Sequence, residues 1–272
     1  MLDNDFIDSI NGYYVPMQEP IPYGENWKLF PIKVKDSLKW FGSIDILDQD
    51  KEKNLSGNIE YISASYLKYL LLKTQEDATI ESKLDFILRL SLNISNDYDI
   101  LLLTENDKCK IVVCQLSLDK NGELIANADT VKTITENEFN DIRKIILYQN
   151  IEGYNDKYID PEIQEVIDEV QEYKAKRNAN GKITMANKIA VVQNATHFTH
   201  TQIMNMSLRE FEKAFTTQVD KVEYMCLRIA ELNPNVKFDK PIHHWATTYD
   251  SNPTDEAFVD YGNFTQKMSS VT

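Results

Sequence analysis

Glycine, proline, cysteine and histidine are all scarce in this chain. Eight Gly and eight Pro in 272 residues leave little room for ornate loops, so regular elements should dominate. Three cysteines, Cys109, Cys114 and Cys226, cannot all pair within one chain. That argues against a disulfide scaffold and for a soluble protein of the reducing cytoplasm. Long apolar runs are missing too. The longest, Tyr69–Leu72 and Ile100–Leu103, are far too short to span a bilayer. The first residues, MLDNDFIDSINGYY, have neither the basic nor the apolar region of a secretory signal. Clustered positive charge is a further absence. The net charge is -14, and the densest cationic group, Lys174, Lys176 and Arg177, ends a helical pattern and suits its dipole. Such a chain repels nucleic acid and anionic membranes, and neither is an expected partner.

Chemical motifs are equally thin. There is no glycine-rich phosphate loop, no GxSxG elbow, no HExxH and no Cys/His arrangement beside a Gly-rich loop. The 43 Asp and Glu residues are dispersed, as on a solvated acidic surface. His197 and His200 flank a helix cap, and His243 and His244 follow Pro241 in a loop, so no ligand quartet is spaced for zinc. Cys109 and Cys114 sit five apart on strand-like residues and point to opposite faces. No enzyme activity, catalytic residue, cofactor or metal is therefore expected.

What remains is a clear alternation of textures. Hydrophobic residues are 42% and charged residues 26% of the chain, enough for a packed core. The stretch PIPYGENWKLFPIKV reads as a turn and an extended segment burying Trp27, Leu29 and Ile32. In DSLKWFGSIDIL, the residues Leu38, Phe41, Ile44 and Leu47 recur at helical spacing. SASYLKYLLLK and TIESKLDFILRLSLNI read as two helices, the second with Ile80, Leu84, Ile87, Leu88 and Ser91 on one side. Residues 100–130 are β-rich, with a hairpin turn at Lys120–Gly122. Thr135 and Glu138 form a T-x-x-E capping box before a helix whose apolar face is Phe139, Ile142, Ile145 and Ile146. Pro161 opens another helix with Ile163, Val166, Ile167 and Val170 in one stripe. Residues 176–182 are a hinge candidate, and TMANKIAVVQNAT is a short helix. The expected fold is α+β and predominantly helical. It has a mixed domain with a small antiparallel sheet at 1–160, a helical domain at 161–252 and a flexible tail at 253–272.

The richest stretch is FTHTQIMNMSLREFEKAFTTQVDKVEYMCLRIAEL, from Phe198 to Leu232. T-x-x-Q at Thr199 and S-x-x-E at Ser207 are two helix starts, so a short helix, a sharp turn and a long helix should follow. From Leu208 the apolar residues fall in heptads: Phe211, Phe215, Val222, Met225, Ile229 and Leu232, interrupted at Gln218. The stripe runs roughly 37 Å at the helical rise. It is either the core of the C-terminal helices or an open face that receives another chain. A DNA-reading helix pair is disfavoured, because the cationic and anionic side chains of residues 186–232 cancel. Phe211, Phe215, Val222 and Met225 are the candidate partner-binding residues.

The order of segments resembles a group of tailed-bacteriophage morphogenesis proteins, tail assembly chaperone-like. The segments are PIPYGENWKLFPIKVKDSLKWFGSIDIL, YISASYLKYLL, ENEFNDIRKIILYQN, EYKAKRN, TMANKIAVVQNATHFTHTQIMNMSLREFEKAF and KPIHHWAT. They cover most of residues 16–247 and are packing and capping patterns. The extended 253–272 tail departs from the group. The resemblance implies a non-enzymatic assembly factor in the host bacterial cytoplasm, with tape measure or tail tube protein as client. The alternative is a structural virion component, such as a connector or baseplate protein. A homo-oligomer is compatible with either.

Overall fold

In the computed structural model the described residues are 2–49, 63–105, 108–118, 124–152, 154, 183–233, 235–238 and 242–246. The protein is mixed α+β and predominantly helical. It divides into two compact units. The first holds residues 1–155 together with Thr201–Glu212; the second holds residues 156–200 together with residues 213–272. The return of 201–212 to the first unit departs from an uninterrupted helical domain at 161–252. The stripe at 163–170, the hinge at 176–182, the Lys120–Gly122 turn and the 253–272 tail lie outside the described residues.

The first unit opens with a helical segment that the sequence pattern did not announce. Helix α1 (Asn4–Ser9) is capped by Asp3, whose carboxylate accepts from the Phe6 amide at 2.7 Å. A π-helical turn over Ile10–Tyr14 leads into a short α2 (Val15–Met17). Gly12 and Pro16 in close succession read as punctuation. The wide turn keeps the chain helical through them, consistent with proline's missing donor. Strands β1 (Ile21–Tyr23) and β2 (Trp27–Leu29) pair antiparallel across Gly24, whose φ of +59° suits only a residue without Cβ strain. Trp27, Leu29 and Ile32 are buried, as the extended reading requires.

Helix α3 (Ser37–Phe41) corrects one apolar face. Leu38 is 87% exposed and Phe41 is 54% exposed, while Trp40, Ile46 and Leu47 are buried. The helix turns Ser37 and Trp40 inward instead, one turn apart on the opposite side, and after Gly42 the chain re-enters as a 3-10 turn over Ile44–Leu47 that buries Ile46 and Leu47.

Helices α4 (Tyr66–Thr74) and α5 (Thr79–Leu92) follow the expected pattern. Ser65 caps α4 by accepting from the Lys68 amide, and Ile80, Leu84, Ile87, Leu88 and Ser91 of α5 are all buried. Strands β3 (Asp99–Glu105), β4 (Lys108–Cys114) and β7 (Lys132–Thr135) form an antiparallel sheet in the order β3-β4-β7. Between them β5 (Leu116–Leu118) and β6 (Leu124–Ala126) make a separate antiparallel pair, with Leu118 opposite Leu124. Helix α6 (Glu136–Asn150) starts at the Thr135–Glu138 capping box. Its face of Phe139, Ile142, Ile145 and Ile146 is fully buried, and α4 and β4 pack against it.

Polar pins fix the packing around α6. Asn150 accepts from the Ile32 amide at 2.8 Å, and Gln149 donates to the Leu29 carbonyl at 3.3 Å. The Arg143 guanidinium stacks 4.1 Å from the Tyr66 ring centroid and donates to the Leu47 carbonyl. Tyr66 donates to the Ile46 carbonyl at 2.8 Å. These bonds satisfy groups that would otherwise be buried without partners.

Candidate protein-binding surface

Helix α7 (Met185–Thr196) is capped by Thr184, which accepts from the Asn187 amide, and ends at His197 in the left-handed region. Helix α8 (His200–Asn205) is short; a turn at Met206 and Ser207 then starts α9 (Leu208–Glu231). This is the short helix, sharp turn and long helix expected from the two caps. Ser207 accepts from the Glu210 amide at 3.2 Å.

The first turn of α9 is bound into the first unit. Met206 accepts from the Val34 amide at 3.1 Å, and the Leu208 amide donates to the Ile32 carbonyl at 2.6 Å. Ser207 and Lys33 form an isolated antiparallel bridge. Arg209 donates to the Tyr148 carbonyl at 2.6 Å. Ile203, Leu208 and Phe211 are buried there. Phe211 is 0% exposed, so it belongs to a core and not to an open face. That is a correction to the candidate set, and its cause is the chain's return to the strand-like segment at residues 32–34.

Beyond Glu212 the same stripe is progressively uncovered. Phe215 is half-buried, with the Lys188 ammonium 5.2 Å from its ring centroid. Val222 is 50%, Met225 52%, Ile229 66% and Leu232 82% exposed. Val191, Asn194 and Ala195 of α7 face Val219, Val222 and Glu223 of α9 across a shallow, mainly apolar groove of about 550 Å³. Of the four candidate residues, Val222 and Met225 lie on the open stripe, Phe215 lies at its start, and Phe211 lies off it. The sequence reasoning missed Val219. It borders the heptad series at the position beside Val222, and the α7 groove makes it part of the surface. Its signal was available as an apolar residue flanking the heptad, the position that broadens an interhelical face.

The stripe has polar borders. Lys221 sits 5.8 Å from the Trp245 ring centroid, and His244 stacks edge-on against Tyr224 at 5.1 Å. Arg228 forms an exposed pair with Glu231 at 2.5 Å.

Elsewhere the chemistry is quiet. Burial pushes the thiols of Cys109 and Cys114 above their ordinary range, which disfavours the thiolate. The Cys109 amide donates to Glu136 at 2.7 Å in a polar recess beside β4. His197 is a helix cap and His244 packs on Tyr224. Among the described residues no three His, Cys, Asp or Glu side chains are grouped to hold a metal, and no helix is long and apolar enough to cross a membrane.

No protein-family model matches the chain, and neither does any curated protein or solved structure.

Proposed function

We propose that this chain is a non-enzymatic assembly factor of a tailed phage, chaperone-like, acting in the host bacterial cytoplasm. It holds an apolar helical segment of a tape measure or tail tube protein against the open half of α9. The observation that carries the reading is the graded exposure of one heptad stripe, from a buried Phe211 to Val222, Met225, Ile229 and Leu232 in the open. A contiguous apolar strip of this kind on a protein surface marks an interaction site more often than an accident of folding. Helix-in-groove binding uses this i, i+3, i+7 spacing of anchors. Met225 adapts to irregular partners, and the net charge of -14 would keep a complex dispersed. The phage assignment rests on the resemblance of the capping and packing segments.

The test is co-expression with tape measure and tail tube proteins, followed by pull-down. Val222→Glu with Met225→Glu should leave the circular dichroism melt unchanged and abolish co-purification. Undiminished capture would remove α9 from the binding surface. Mass spectrometry of purified particles should find the chain absent; stoichiometric presence would favour the connector or baseplate reading.

A further inference from the structure

The open half of α9 has two unlike borders. At roughly 100° of helical turn per residue, Val222, Met225, Ile229 and Leu232 share one side of the helix. Val219 and Cys226 border that side toward one edge, and α7 closes it there across the groove. Lys221 and Arg228, seven residues apart, border it along the other edge, and both are exposed. In heptad terms these two cations hold the flanking positions that meet the flanking charges of a docked helix.

We infer that the occupant of this surface is an amphipathic helix whose apolar stripe is bordered by acidic residues along the edge that meets Lys221 and Arg228. The inference rests on the proposed binding role of α9 and specifies its partner. Charge complementarity carries it. In the open half the residues directly flanking the stripe are Lys221 and Arg228 on one edge and Val219 and Cys226 on the other; the nearest acids are Glu231, paired with Arg228, and Glu223, one step further out at the α7 groove. A second copy of this chain fits less well. Antiparallel pairing would set Lys221 against Arg228 of the other copy, and parallel pairing would leave both cations opposite uncharged Cys226 and Asn233. The existing partners do not block the site. The Arg228–Glu231 pair is exposed and can exchange Glu231 for a client carboxylate at little cost. Lys221 is exposed, and its ammonium lies 5.8 Å from the Trp245 ring centroid, a contact that an exposed cation can exchange for a carboxylate.

The experiment uses the full chain and two synthetic helical peptides that share one leucine stripe, bordered by Glu in one and by Lys in the other. Fluorescence anisotropy at low salt should show the Glu-bordered peptide binding about fivefold more tightly. That margin should shrink as salt rises. Lys221→Glu with Arg228→Glu should invert the preference, and Lys221→Gln with Arg228→Gln should erase it. Equal binding of the two peptides, or preference for the Lys-bordered one, overturns the acidic-client inference and leaves the binding surface standing. Binding of neither peptide overturns both.

Discussion

The two halves of α9 carry one repeat and meet opposite fates. Leu208 and Phe211 are sealed in the first unit, whereas Val222, Met225, Ile229 and Leu232 are at least half exposed. Apart from the polar Gln218 between them, nothing in the spacing separates them. What separates them is the backbone before the helix. Met206 and Leu208 hydrogen-bond to Val34 and Ile32, which draws the first turn into a core. Periodicity therefore tells which residues share a face; hydrogen bonds formed elsewhere decide what covers it.

The sharpest way to break this comparison is to truncate one residue in each half. Phe211→Ala should cost about 3–5 kcal/mol, as for other fully buried aromatics. Met225→Ala should change stability by no more than about 0.5 kcal/mol, as for exposed positions. Urea melts followed by circular dichroism read both. A cost at Met225 close to that at Phe211 would mean that the second half is covered in solution.

A smaller effect tests what draws the first turn inward. Asn150→Leu removes the side-chain acceptor of the buried Ile32 amide, which now sits at 2.8 Å. Leaving that donor unsatisfied should cost about 1–3 kcal/mol. Since Ile32 also accepts from Leu208, amide exchange at Leu208 should quicken more than at the centre of α5. Equal quickening at both would show global loosening and no special tie between Asn150 and the start of α9.

How much of this was legible beforehand depends on the range of the interaction. The capping box at Thr135, the faces of α5 and α6, and the paired starts at Thr199 and Ser207 are local, and each was readable from spacing. The failures are non-local or phase-breaking. Leu38 and Phe41 recur at helical spacing with Ile44 and Leu47, yet the helix ends at Gly42 and turns Ser37 and Trp40 inward, which the spacing alone does not mark. Helix α1 was hidden by Gly12 and Pro16, which a π-turn accommodates. Phe211 is buried in the turn of α9 that follows the hydrogen bonds of Met206 and Leu208 to Val34 and Ile32, far away in sequence. At the candidate surface the heptad was visible, but its open half could be told from its closed half only with Ile32 and Val34 in place.

The finest probe of the comparison is Glu210, the acid in the closed first turn. Its Oε2 is buried and has no hydrogen-bond partner among the described residues. Burial raises its carboxyl above the ordinary range. A raised value in the folded state means that folding favours the protonated form. The stability this group contributes is therefore fully present below its ordinary pKa and is lost as pH rises through the raised one. At neutral pH the fold holds a partly desolvated charge. Glu210→Gln removes that charge, keeps the size of the side chain and leaves the Ser207 cap on the Glu210 amide in place. The favourable dipole interaction of an acid in the first helical turn opposes the gain, and partial exposure screens it. The variant should thus be more stable at pH 7 by only a few tenths of a kcal/mol, with the gain vanishing as pH falls below the carboxylate range. Paired melts of both proteins across that range measure the difference. A loss of stability at neutral pH would show that the helix dipole, and not burial, sets the energy of Glu210 in the closed half of α9.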